Sequence, residues 1–134
     1  MSDGLPGGMR LSMERRTMPV NILIADDDTS ILHLYSRLFL GKGYSISTAE
    51  TFAEASALLR GNDYDLLITD FTFPDGLGTE LIKIFSEAKA GARSILVTGA
   101  PDAAKKLARE GVRNYIEKPF KVEKFMEAVT KALK

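Results

Sequence analysis

From Val20 onward, short apolar runs without helical period alternate with segments whose apolar residues recur every three or four positions. The runs at 20–25, 44–49, 65–69, 94–98 and 114–117 predict five strands. The segments at 30–40, 51–59, 77–90, 102–110 and 122–133 predict five helices. Thr29 or Ser30 is expected to cap the first helix, with Ile31, Leu34, Tyr35 and Leu38 facing inward and Gly41 and Gly43 ending it. Thr51 opens the second, which stops near Gly61; the third turns Leu81, Ile82 and Phe85 inward. The fourth is short and polar, so its contact with the sheet is expected to be shallow. The last carries Val122, Phe125, Met126, Val129 and Leu133 at helical spacing. Strict alternation of strand and helix predicts an α/β domain, a five-stranded parallel sheet doubly wound as (βα)5 with right-handed crossovers.

The 134 residues give room for one domain with a sizeable core. Residues 1–18 stand apart: glycine, proline and basic residues without an apolar run predict a disordered tail, and no secretory signal. Lys+Arg and Asp+Glu both number 18, a balance that gives no reason to expect nucleic-acid binding or a polybasic membrane anchor. The absence of cysteine excludes thiolate catalysis, disulfides and zinc–thiolate sites. No apolar stretch approaches the ~18–20 residues needed to span a bilayer.

The candidate chemistry sits at strand ends. The run 65–69 leads into Asp70, with Pro74, Asp75, Gly76 and Gly78 behind it. A loop after such a strand lies at the carboxyl edge of the sheet, where open α/β folds bind ligands. Asp70 is thus a candidate nucleophile, metal ligand or turn cap. The first strand ends in Asp26-Asp27-Asp28. If these two strands are neighbours, Asp26, Asp27 and Asp70 share one crevice, and three like charges there call for a cation. Oxygen-only ligands suit a hard ion, and Mg2+ best, since it favours a few carboxylates, retained waters and a phosphate. Thr98 closes the fourth strand with Gly99 leaving space beside it, and Lys118 follows the fifth, held extended by Pro119. Carboxylates, a hydroxyl and an ammonium at separate strand ends make a phosphoryl-transfer site. Other residues have plainer readings: Asp28 favours the start of the first helix, Asp75 serves a turn or helix start, and His33 is a surface residue.

Over residues 20–134 the chain resembles a two-component response regulator receiver domain. The resemblance rests on Asp26-Asp27 after an apolar strand, Asp70 with Pro74 and Gly78, Thr98-Gly99, and Lys118-Pro119-Phe120. It implies a flavodoxin-like fold with strand order 2-1-3-4-5, residues 19–134 forming the receiver. It further implies that Asp70 is the phosphoacceptor, Asp27 a direct Mg2+ ligand, Asp26 a ligand acting mostly through water, and the backbone carbonyl of Thr72 a further ligand. Thr98 matches the switch hydroxyl, Lys118 its lysine partner, and Tyr115 the aromatic that swings inward on activation, although a strand tyrosine also serves plain packing. The implied partners are a sensor histidine kinase or phosphotransfer protein, and a downstream protein at the face of the fourth helix, fifth strand and fifth helix. A homodimer through the last helix is a further option. The implied location is cytoplasmic, and the only catalysis is of the domain's own phosphorylation and dephosphorylation.

The stretch from Thr98 to Lys118 is about two residues shorter than the usual family spacing. Thr72 and Ala100 occupy the positions with which the family tunes hydrolysis of the acyl phosphate, and neither can orient a water. Three rivals remain at this stage: a phosphorylation-independent adaptor or dimerisation module of the same fold, an aspartyl-phosphate phosphatase, and a receiver fragment of a longer regulator or hybrid kinase. The phosphatase is disfavoured because Thr72 stands where it would need a second acid.

Overall fold

A computed structural model of the chain describes residues 19–100, 102, 106 and 114–134. The tail predicted over 1–18 lies outside the described residues, as does most of the helix predicted over 102–110, of which Asp102 and Lys106 are helical and exposed. Strand β1 (Val20–Ala25) is followed by α1 (Thr29–Leu38), β2 (Tyr44–Ala49), α2 (Phe52–Gly61) and β3 (Leu66–Asp70). A short hairpin then pairs Thr72–Phe73 with Gly76–Leu77 and leads into α3 (Gly78–Ala88). Strands β4 (Ser94–Thr98) and β5 (Tyr115–Glu117) and a final helix, α4 (Val122–Ala132), complete the described fold. All four strand pairings of the main sheet are parallel, in the order β2-β1-β3-β4-β5. That order is the one implied by the family resemblance.

Because strand side chains alternate between faces, β1 and β3 each supply two cores. Ile22, Ile24, Leu66 and Ile68 point to one side, where α1 contributes Leu32 and Tyr35 together with its C-cap Phe39, and α4 contributes Phe125 and Val129. Leu23, Ala25 and Leu67 point to the other, against Ala55 and Leu59 of α2 and Leu81 and Phe85 of α3. Leu96 of β4 starts a smaller cluster with Phe71, Ile82 and Tyr115. Among the described residues no helix is long and apolar enough to cross a membrane.

Two expectations for α1 are corrected. Its buried face is Leu32, Tyr35 and Phe39, whereas Leu34 is 44% exposed. Both stripes fit a 3.6-residue period, and only packing against β1 decides between them. Its cap is Asp28, which accepts from the Ser30 N–H at 2.9 Å and the Ile31 N–H at 3.4 Å, so Thr29 already lies within the helix. In α4, Val122 is 42% exposed, not inward.

Tyr35 lies in an aromatic stack, its ring 4.9 Å from that of Phe125 and 6.2 Å from that of Phe120. Its hydroxyl is buried with no hydrogen-bond partner among the described residues. Burial first, then the charges of Asp26 and Asp70, push the phenol well above its ordinary range. An unpaired buried donor costs about 1–3 kcal/mol. Tyr35→Phe is therefore expected to raise the unfolding free energy by about 1 kcal/mol, read as a higher urea midpoint at unchanged slope.

Candidate functional site

β1, β3, β4 and β5 all end at the same edge of the sheet, and their parallel register brings the ends together. Ala25 pairs with Thr69, Asp70 with Val97, and Thr98 with Glu117, so Asp26, Asp70, Thr98 and Lys118 each stand at or just beyond a strand terminus. One carboxylate oxygen from each of Asp26, Asp27 and Asp70 lies within 4.8 Å of the others. Asp26 is almost fully buried, Asp70 partly, and Asp27 is exposed, so the cluster opens to solvent on the Asp27 side.

Two of the three carboxylates are oriented by the backbone. Asp26 Oδ1 accepts from the Asp28 N–H at 2.9 Å, and Asp70 Oδ1 accepts from the Phe71 N–H at 2.8 Å. The Lys118 ammonium bridges the two acids, 3.5 Å from Asp26 Oδ2 and 3.4 Å from Asp70 Oδ1. Its backbone N–H donates to the Thr98 carbonyl at 2.8 Å, and the Lys118–Pro119 peptide is cis. The Thr98 side chain is buried, and its Oγ1 accepts from the Ala100 N–H at 2.9 Å, which leaves the hydroxyl proton to be donated elsewhere.

Burial raises the pKa of Asp26 above the ordinary 3.8, and the charge of Asp70 adds to the rise; the Asp28 N–H and Lys118 only partly offset it. The folded state thus holds a proton on Asp26 more tightly than the unfolded chain does. On its own, this residue lowers stability as pH rises from 3.8 through its raised value. A cluster short of positive charge, built from oxygen donors and open on one side, fits a hydrated divalent cation such as Mg2+.

Thr72 is exposed and sits in the first arm of the hairpin, opposite Leu77. Tyr115 is partly buried, pairs with Leu96 two residues before Thr98, and so lies on the same face of the sheet as Thr98. His33 is exposed on α1, on the helix rather than among the acids.

A loop is expected around Pro74, and the structure has a hairpin there, Thr72–Phe73 paired with Gly76–Leu77. Asp75 caps a helix, but not the one that follows it: Oδ1 accepts from the Phe52 N–H at 2.9 Å and Oδ2 from the Ala53 N–H at 3.0 Å, both in the first turn of α2. No local pattern announces a partner more than twenty residues back. Gly78 is more specific than its place in a turn suggested. Its N–H donates to the Phe71 carbonyl at 2.6 Å, and a Cβ there would overlap the carbonyl oxygen of Asp70.

The family model for the response regulator receiver domain matches residues 22–130. The transcriptional regulatory protein GlrR of Escherichia coli K12 is 30% identical over 118 residues, 86% of this chain and 26% of GlrR. DcuR of the same organism is 30% identical over 118 residues, 83% of this chain and 49% of DcuR. The chain thus spans about a quarter to a half of these curated relatives. Among solved structures, a receiver domain protein from Methanospirillum hungatei JF-1 superposes with a TM-score of 0.78 at 30% identity, covering 86% of this chain and 94% of that one. TrrA from Thermotoga maritima, solved in complex with Mg2+ and BeF, superposes with a TM-score of 0.77 at 31% identity, covering 85% and 99%.

Proposed function

The chain belongs to the response regulator receiver domain family, and on that premise we propose that Asp70 accepts a phosphoryl group from a phosphohistidine of a histidine kinase or phosphotransfer protein. A carboxylate oxygen of Asp70 attacks phosphorus, the phosphorus–nitrogen bond of the donor breaks, and the departing imidazole takes up a proton. The observation that carries this reading is the Lys118 ammonium held 3.5 Å from Asp26 and 3.4 Å from Asp70. It supplies a fixed positive charge where phosphoryl oxygens arrive, without reorganisation.

Asp27 and the Thr72 carbonyl would hold Mg2+ directly, with Asp70 beside them and Asp26 acting through water. Mg2+ supplies neutralisation of the charge on the transferred phosphoryl oxygens. The complex of TrrA with Mg2+ and BeF supports the same ion here. Once Asp70 is modified, Thr98 turns its free hydroxyl proton towards the phosphoryl group and Tyr115 packs inward behind it. The outcome is a population shift at the face that includes β5 and α4, read by a downstream protein or a second copy of the chain. This reading places the chain in the cytoplasm, contacting neither nucleic acid nor membrane itself, and limits its catalysis to its own phosphorylation and dephosphorylation. The full set Asp26, Asp27, Asp70, Thr98 and Lys118 favours it over a phosphorylation-independent adaptor.

Incubation with acetyl phosphate and Mg2+ tests the reading. Intact mass should rise by one phosphoryl group, about 80 Da, only when Mg2+ is present. Because Thr72 and Ala100 offer neither amide nor carboxylate to an attacking water, the product should decay over minutes or longer. A half-life of seconds would contradict that part.

A further inference from the structure

The segment after Asp70 is held at three places. At its base, Gly78 donates to the Phe71 carbonyl and lies against the backbone of Asp70. In the middle, Phe73 is 7% exposed and packs in the core beneath α2 and α3. At the tip, Asp75 accepts from two N–H groups of α2, and Gly76 is so close to the Phe52 ring that a Cβ would approach it to 2.6 Å. Thr72 lies between base and middle. A ligand that coordinates through its backbone carbonyl cannot be aimed by its own side chain; its neighbours must aim it.

Asp75 shares the capping of α2 with residues at the helix's own start. Thr51 Oγ1 already accepts from the Glu54 N–H at 3.0 Å, and Glu54 Oε1 reaches back to the Glu50 N–H at 2.8 Å. These two bonds leave the Phe52 and Ala53 N–H groups to Asp75. Asp75 therefore satisfies two donors of that turn and, in doing so, ties the turn to the hairpin.

We propose that Asp75 is a positioning residue for the metal site: by fastening the hairpin tip to Phe52 and Ala53 of α2, it holds the Thr72 carbonyl where Mg2+ takes it up. This rests on the reading of Thr72 as a ligand. Coupling is reciprocal, so occupation of the metal site also steadies the first turn of α2. The site is thereby connected to a helix that contributes none of the acids.

The test is Mg2+ affinity of the unphosphorylated protein by calorimetry, with unfolding followed in parallel. Asp75→Ala should weaken Mg2+ binding about tenfold, the size of effect seen when a partner that orients a metal ligand is lost. Asp75→Asn, which keeps one acceptor and the shape, should fall between that and wild type. Thr51→Ala removes the helix's own cap and should lower the melting temperature while leaving Mg2+ affinity unchanged. In wild type, Mg2+ should slow hydrogen exchange at the Phe52 and Ala53 amides. Wild-type affinity in both Asp75 variants overturns the proposal, as does an equal loss of affinity in Thr51→Ala. If wild type itself binds no Mg2+, the metal reading fails first and the proposal falls with it.

Discussion

Asp70→Asn should gain no phosphoryl group from acetyl phosphate under conditions that fully modify the wild-type chain, whatever the Mg2+ concentration. An amide oxygen is a poor nucleophile towards phosphorus. Asp26, the other acid beside Lys118, is buried with Oδ1 bonded to the Asp28 N–H and is less open than Asp70. Folding should survive, because the change removes one of three crowded negative charges and relieves Asp26, whose pKa that charge helps to raise. Intact mass and a denaturation curve on the same sample separate the two effects. A residual mass gain of about 80 Da in the variant, mapped to any other residue, would remove Asp70 from the role assigned to it.

Gly78→Ala is expected to be the most damaging conservative change. The added Cβ would overlap the carbonyl oxygen of Asp70, and it would lie 2.9 Å from Thr69 Oγ1 and 3.0 Å from the carbonyl carbon of Asp70. Two of these obstacles are backbone, which cannot rotate away, and the third is bonded in place, since Thr69 Oγ1 donates to the Asp70 carbonyl at 2.9 Å. A loss of about 3 kcal/mol in unfolding free energy follows from overpacking of this kind. The clash also displaces the acceptor's own backbone, so phosphorylation should slow even at temperatures where the variant is folded. Gly99→Ala is the control for stability: among the described residues a Cβ there meets nothing within 4 Å, and the unfolding free energy should be close to wild type. Equal effects at the two glycines would show that close approach at Gly78 is not what matters.

These two sites illustrate what sequence could convey. Strand-terminal acids were legible because an apolar run ending in Asp leaves few places for the carboxylate, and the Thr98-Gly99 and Lys118-Pro119 pairs added further fixed points. Strand order came through the family resemblance, as no local signal states which strands are neighbours. The hairpin at 72–77 was not legible: its arms are two residues each, too short for alternation to register. The bond from Asp75 to α2 was hidden for a different reason, since its partners lie 22 and 23 positions away and a Pro-Asp-Gly stretch satisfies a turn by itself. On α1, the choice between Leu34 and Leu32 as the inward residue depended on the tilt of the helix over β1, which composition does not encode. The cap moved from Thr29 or Ser30 to Asp28 because three successive acids offered both a metal ligand and a cap, and only the backbone decided which took which task.

Asp26 and the ammonium that bridges it to Asp70 are separated by 92 positions. In a chain emerging from a ribosome, Asp26, Asp27 and Asp70 appear first, and the ammonium beside Asp26 and Asp70 appears only once β5 has been made. Parallel pairing of β4 with β5 also cannot begin until then. A nascent or truncated chain that lacks Lys118 therefore carries the three acids without their ammonium, a cluster that repels phosphate. On the role proposed for Asp70, accepting a phosphoryl group would report that β5 has joined the sheet.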